Sequence, residues 1–303
     1  MKWQVSLNNS SFDQAGITKD CQDAVCEYIW NGFEAGASVV RVNIEGSPLQ
    51  ESMSLVVTDN GSGIPFYNFG DTFGTFLSSK KNELSIRIKS HANKGKGRFS
   101  YLSFSSSARW DTIYKDNNQI KKYTIYTDNI DKCHFETTEP ILCNSNDDTG
   151  TRVYFPLFDE AVDQLNYMSM KNKVLEEFAW FLHLNKSKNF ILEYMGVTLD
   201  PSQYINSDLS NTFIEKIDNS HFNIDVIVWK NNVSNSSKIY FLTAEGEIIN
   251  VENTSFNKNK ARFYHAVFVS SSYFKPGMLF SSDNDITLFD KDLPDNHKKI
   301  FVF

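Results

Sequence analysis

Several features that commonly declare a protein's class are missing from this chain. The first thirty residues, opening Met1-Lys2-Trp3-Gln4, hold no apolar stretch of the kind a secretory leader carries. No window approaches the run of about 18 uncharged apolar residues that a membrane-spanning helix needs. A cytoplasmic location without a membrane partner is therefore expected. The four cysteines, Cys21, Cys26, Cys133 and Cys143, show no C-x-x-C spacing and no nearby histidine pair, which argues against a zinc centre or a disulfide framework and leaves reduced, partly buried thiols. Positive charge is short as well: a net charge of −7 offers no global field for nucleic acid. The local run Lys258 to Arg262 (K-N-K-A-R) is a candidate phosphate contact, beside the plainer reading as a solvated loop. No G-x-x-x-x-G-K-[ST] loop and no complete G-x-G-x-x-G is present, so two common nucleotide motifs are excluded. Internal repeats and low-complexity tracts are absent too.

What is present fits a globular protein. A hydrophobic share of 41% in 303 residues supplies a sizeable core and room for about two domains. Residues 1 to 16 are polar and Asn/Ser-rich, a lead-in to a helix expected from about Ile17 to Gly36, with Thr18 or Gly16 near its start. Val39 to Ile44 alternates in period two, and Met53 to Thr58 is a second strand that runs into Asp59-Asn60-Gly61-Ser62-Gly63. Residues 65 to 91 have no sustained period and read as either a disordered insertion or a mobile functional loop. Strand-like runs at Ala108 to Tyr114, Lys122 to Tyr126, Cys133 to Thr137 and Thr151 to Phe155 suggest an antiparallel meander. One long helix from about Asp159 to Leu184 closes this half. Beyond it, Ile224 to Trp229, Lys238 to Thr243 and Ala266 to Ser270 are strands of a separate, smaller domain. The apolar ending Lys299 to Phe303 reads as another strand and suggests a fragment of a longer protein.

The chain is organised around its first helix. Glu27, Asn31 and Glu34 stand at i, i+4 and i+7, one stripe carrying a carboxylate, an amide and a second carboxylate, and Asp20 and Asp23 extend it one turn back. The other side carries Val25, Tyr28, Ile29, Gly32 and Gly36, an apolar strip narrowed by glycine so that a sheet can approach. Taken alone, the acidic stripe is better explained as the solvated side of an amphipathic helix. Three further elements change that balance. Asp59 stands at a strand end before a glycine turn, an acceptor suited to an exocyclic amine. Gly95-Lys96-Gly97-Arg98-Phe99-Ser100 precedes a mostly apolar run, an arrangement that aims backbone N–H groups and cations at an anion. Gly150-Thr151-Arg152-Val153 opens a strand with a hydroxyl at the core edge.

In this order the motifs Glu-x-x-x-Asn-x-x-Glu-Ala, Asp-Asn-Gly-x-Gly, a glycine box and Gly-Thr-x-Val resemble the GHKL ATPase superfamily, which includes gyrase, the heat-shock chaperone, histidine kinases and MutL. The resemblance covers roughly residues 15 to 157. It implies an α+β fold: a Bergerat-type two-layer α/β sandwich whose mixed, mostly antiparallel sheet has helices on one face, followed by a smaller α/β transducer-like domain. The implied domains are 1–195, an ATP-binding domain closed by the helix at about 159–184, and 196–303. The implied cofactors are ATP and Mg²⁺. Glu27 resembles the general base, Asn31 the magnesium ligand, and Glu34, where aspartate is usual, a residue binding through water. Asp59 resembles the adenine-reading aspartate, Gly61 and Gly63 the glycines that admit the base, and Thr151 the threonine supporting both. Gly95, Lys96, Gly97, Arg98 and Phe99 resemble the phosphate-binding lid, though Ala92 stands where the first glycine of the usual G-x-x-G-x-G is expected. Arg98 is alternatively structural, pairing with an acid of the first helix. Lys258, Lys260 and Arg262 are candidates for the cation that a transducer domain sends to the γ-phosphate. The implied activity is ATP hydrolysis gating a lid that drives homodimerisation or clamp closure, with a nucleic-acid or effector-protein partner in a bacterial defence or DNA-transaction protein. A non-hydrolysing ATP sensor and a chaperone-like ATPase are the alternatives. A histidine kinase is disfavoured because no dimerisation helix precedes Glu27.

Overall fold

A computed structural model describes residues 2–4, 17–47, 52–73, 97–129, 134–144, 146–230, 237–254, 264–276 and 278. The expectations for Ala92, Gly95, Lys96, Cys133, Lys258, Lys260, Arg262 and the terminal strand 299–303 lie outside the described residues, as does most of the loop at 65–91. The chain divides into two compact units, one of Met1–Glu177 with Asn185–Asp200, the other of Phe178–Leu184 with Pro201–Phe303.

The first unit is a sheet with helices packed against it. Its elements are β1 (Lys2–Gln4), α1 (Cys21–Glu34), β2 (Val39–Ser47), β3 (Ser52–Asp59), α2 (Phe69–Phe73), β4 (Ser107–Asp116), β5 (Gln119–Asp128), β6 (His134–Thr137), β7 (Ile141–Leu142), β8 (Gly150–Pro156), α3 (Asp159–Gln164), the start of α4 (Tyr167–Leu184), β9 (Ile191–Tyr194) and β10 (Val197–Thr198). The spatial order is β1-β6-β5-β4-β8-β3-β2-β9-β10, with β7 beside β5. The β2–β9 pair is parallel and the others are antiparallel. The meander of β4, β5 and β6 forms as expected, but β8 does not extend it. Instead β8 returns between β3 and β4, pairing with both.

Helix α1 is shorter than its apolar pattern suggested. The Asp20 carboxylate accepts the N–H groups of Gln22 and Asp23, which caps the helix at Cys21 and leaves Ile17 to Lys19 outside it. At the other end Gly36 takes φ +80°, a conformation that costs glycine little, with nothing near the site a side chain would occupy. Gly36 is thus a helix stop, as its place at the end of the expected helix implied, and not a member of the packing strip. Gly32 does meet that expectation. A Cβ there would lie 2.9 Å from Val40 Cγ2 and 3.0 Å from Asp59 Cβ. Val25, Ile29 and Phe33 are fully buried. Tyr28 packs on Phe155 at a ring separation of 4.6 Å. The far side of α1 is covered as well, because Trp30 Nε1 donates to Glu177 Oε1 at 2.8 Å and Asp23 pairs with Lys173. Asp20 and Asp23 therefore leave the acidic stripe: one caps the helix and the other ties it to α4.

The expected long closing helix is two. Asn166 interrupts it, its Nδ2 donating to Asp163 O and its Oδ1 accepting the Ser169 N–H, so α3 ends and α4 restarts within three residues. The last turns of α4, Phe178–Leu184, belong to the second unit. That unit adds β11 (Asn211–Ile217), β12 (Ser220–Val228), β13 (Lys238–Leu242), β14 (Ile248–Asn253) and β15 (His265–Ser270), in the order β11-β12-β15-β13-β14. One face of this sheet gathers Phe222, Phe241, Val269 and Phe274. The other stacks Tyr240 between Trp180, at 4.9 Å, and Phe268, at 5.0 Å. His183 Nε2 meets Asp225 Oδ2 at 3.0 Å. Strand β11 has its apolar pair Phe213 and Ile214 adjacent rather than alternating, and both exposed, so period-two patterning misses it. No helix among the described residues is long and apolar enough to cross a membrane.

Glycine to alanine inside a helix ordinarily gains up to about 1 kcal/mol. At Gly32 the sign reverses, because both neighbours are short, rigidly held groups that have nowhere to move. Gly32→Ala is expected to lower stability by about 1–2 kcal/mol net, read as an earlier midpoint in urea unfolding.

Candidate functional site

The site forms where the C-terminal half of α1 crosses the ends of β3 and β8. Glu27 is 8% exposed, a carboxylate in a largely buried position, and Asn31 is half-buried one turn further on. Both face Gly97, where a Cβ would stand 3.1 Å from Glu27 Oε2 and 3.8 Å from Asn31 Nδ2. A side chain at this position would crowd the carboxylate, which would have to shift by a few tenths of an ångström. Gly97 opens a short 3-10 helix, Gly97–Ser103. The segment is held on α1 by Tyr28, whose hydroxyl donates to Arg98 O at 3.0 Å and accepts the Tyr101 N–H at 3.3 Å. Ser100 Oγ donates to Gly97 O at 2.5 Å.

Among the described residues, the other two members of the lid motif, Phe99 and Arg98, make contacts elsewhere. Phe99 is fully buried against Phe135, a core anchor and not a ligand-facing group. The Arg98 guanidinium lies 4.8 Å from the centre of the Phe99 ring and 6.0 Å from that of Phe73. Burial holds its pKa down to about 10. The expected phosphate-directed or acid-paired side chain is, in its described contacts, stacked on aromatics.

The second half of the site is built on Asp59. Its Oδ1 accepts the Gly61 N–H at 2.8 Å. Partial burial pushes its pKa up to about 6, with the N–H groups of Gly61 and Thr151 opposing the rise. Asp59 touches α1 through Gly32, the residue next to Asn31, so the two halves of the site are in contact. The glycines of the turn are used by the protein itself. A Cβ at Gly61 would lie 2.8 Å from Ala35 O, and one at Gly63, where φ is +70°, only 2.1 Å from Ile113 O. These neighbours fill the space that a side chain at Gly61 or Gly63 would occupy. Asn60 ties the turn down, its Oδ1 accepting the N–H groups of Ser38 and Val39. Thr151 is buried opposite Asp59, its Oγ1 3.3 Å from Thr112 Oγ1, and Thr112 in turn accepts the Ile64 N–H at 2.8 Å.

The structure thus brings together Glu27, Asn31, Gly97, Asp59, Gly61, Gly63 and Thr151. Glu34 follows one turn after Asn31 on the same helix face, half-buried. Thr112 was not anticipated. The signal was available as the one polar member of the buried alternation Ala108, Trp110, Thr112, Tyr114 on β4.

The raised pKa of Asp59 fixes a pH dependence. A carboxyl that binds its proton more tightly folded than unfolded stabilises the fold below its unfolded value and forfeits that contribution as pH rises through its folded value. Between about pH 4 and about pH 6 the parent chain is therefore expected to lose stability relative to Asp59→Asn, which keeps the acceptor for Gly61. Urea midpoints measured against pH are expected to diverge in favour of the variant across that window and to remain apart at pH 7.

Residues 19–151 match the family described as histidine kinase-, DNA gyrase B-, and HSP90-like ATPase. No curated protein matches the chain.

Proposed function

We propose that this chain, whose residues 19–151 form a GHKL-type ATPase module, binds ATP between α1 and the sheet and hydrolyses it. Family membership supports ATP binding. The observation that supports the finer reading is the junction at Gly32, where α1 meets Asp59, the cross-strand partner of Thr151, with Asn31 next to Gly32 in the helix and Glu27 one turn before Asn31. A carboxylate with a pKa near 6 is mostly ionised at neutral pH and so acts as an acceptor for the exocyclic amine of adenine. Glu27 is then the base that orients and deprotonates the attacking water. Its confined position is consistent with that role, since a base works best on a water that bulk solvent does not compete for.

Magnesium fits the donors present, because Mg²⁺ takes oxygen ligands, keeps most of its waters and needs little from the protein. Asn31 would hold it through its amide oxygen, and the bare backbone at Gly97 leaves room for a phosphate chain beside Glu27 that a Cβ would crowd. Bound there, the ion supplies charge neutralisation for the phosphates. Glu34 is assigned a supporting contact through water. Residues 1–195 serve as the nucleotide module and 196–303 as the transducer-like part. We further propose that bound ATP orders the lid and promotes self-association or clamp closure, within a bacterial defence or DNA-transaction protein.

Removing a general base typically costs about 10² to 10⁴ in rate. Glu27→Ala is accordingly expected to bind ATP in calorimetry while its phosphate release drops by that factor, and Asp59→Asn to lose binding. Parental turnover by Glu27→Ala would contradict the assignment of the base.

A further inference from the structure

On the buried face of the first sheet the cross-strand neighbours fall into rows. One row is Val57, Val153, Trp110 and Ile125, wholly apolar. The next, two residues along each strand, is Asp59, Thr151, Thr112 and Tyr123. A polar row on a sheet face that is otherwise core requires each polar atom to find a partner. Thr112, 1% exposed, sits in its middle.

The hydroxyl of Thr112 has one proton and two acceptor positions. The Ile64 N–H, at 2.8 Å, occupies one acceptor position. The neighbours left within reach are Thr151 Oγ1 at 3.3 Å and the Gly150 carbonyl at 3.4 Å. A hydroxyl that accepts a hydrogen bond becomes a better donor, so the Ile64 contact favours Thr112 giving its proton away along the row. When Thr151 receives it, the Thr151 proton is released from the protein and can be offered to a ligand. Beside it, Asp59 accepts. A donor next to an acceptor matches the edge of adenine, which presents a ring-nitrogen acceptor beside an amine donor. It opposes guanine, which presents a ring N–H beside a carbonyl.

We infer that Thr112 is a positioning residue for base selection: by tying the Ile64 N–H to Thr151 it orients the Thr151 hydroxyl as a donor, and so sets the preference for adenine over guanine nucleotides. The inference rests on the nucleotide-binding reading of the same site. It goes further in giving a role to a residue that touches no ligand itself.

Calorimetric titration of the full chain with ATP and with GTP tests it. Thr112→Val keeps the shape and removes the hydroxyl. ATP affinity is expected to fall about tenfold, the scale of one hydrogen bond made well, with GTP affinity nearly unchanged, and Thr112→Ser to restore the parental ratio. In combination with Thr151→Val, Thr112→Val is expected to add little further loss, since both act through one hydroxyl chain. Should Thr112→Val fail to fold, Thr112→Cys, with only a weak donor, is expected to give the same collapse of the ratio. An equal loss for both nucleotides, no rescue by serine, or fully additive losses in the double variant would overturn the inference while the parent still bound ATP. A parent that binds neither nucleotide overturns the reading beneath it, and so is told apart from a failure at Thr112.

Discussion

The first unit depends on how closely α1 approaches the sheet at Gly32. With no side chain at that position, helix backbone and strand come within contact of Val40 and of Asp59 itself. That approach sets the spacing between α1 and Asp59. Asp20 and Gly36 determine where the helix begins and ends, and so which residues lie over the strand ends. On the opposite side Trp30 and Asp23 engage Glu177 and Lys173, which holds the helix down rather than leaving one side to water. Glu27 is buried because α1 is enclosed by protein, a setting an acidic residue occupies only when something demands it.

Asp59 shows the same tension in electrostatic form. Burial favours its neutral state, while the N–H groups of Gly61 and Thr151 favour the charged one, and burial is the larger influence. The glycine turn beyond it is packed so tightly against Ala35 O and Ile113 O that it has no freedom to relax around the carboxylate. An acceptor is thereby held in position at some expense to folding, a pattern typical of groups kept for binding rather than for stability.

Much of this was legible in residue order. The strands β2 to β6 follow from alternation. Glu27, Asn31 and Glu34 share a stripe by helix arithmetic, and Asp59 stands before a glycine turn whichever fold contains it. The less legible features depend on contacts between distant segments. Nothing local in Gly150 to Pro156 says that β8 belongs between β3 and β4, and the neighbour relation of Thr112 and Thr151 exists only once it does. Asp23 looks like a member of the acidic stripe until α4 brings Lys173 to it. Arg98 carries the charge expected of a phosphate loop, but the rings of Phe73 and Phe99 lie beneath its guanidinium.

The sequence by itself determined the chemistry available: a carboxylate and an amide one helical turn apart, an acceptor at a strand end, a hydroxyl opening another strand, and glycines where backbone must pass closely. These are short-range facts, governed by residue type and the periods of helix and strand. Tertiary structure decided which of those groups meet, which are diverted to capping or ion pairing, and which turn into the core, because strand order and helix enclosure arise from burial of apolar surface across the whole unit, a term that no single stretch of chain encodes.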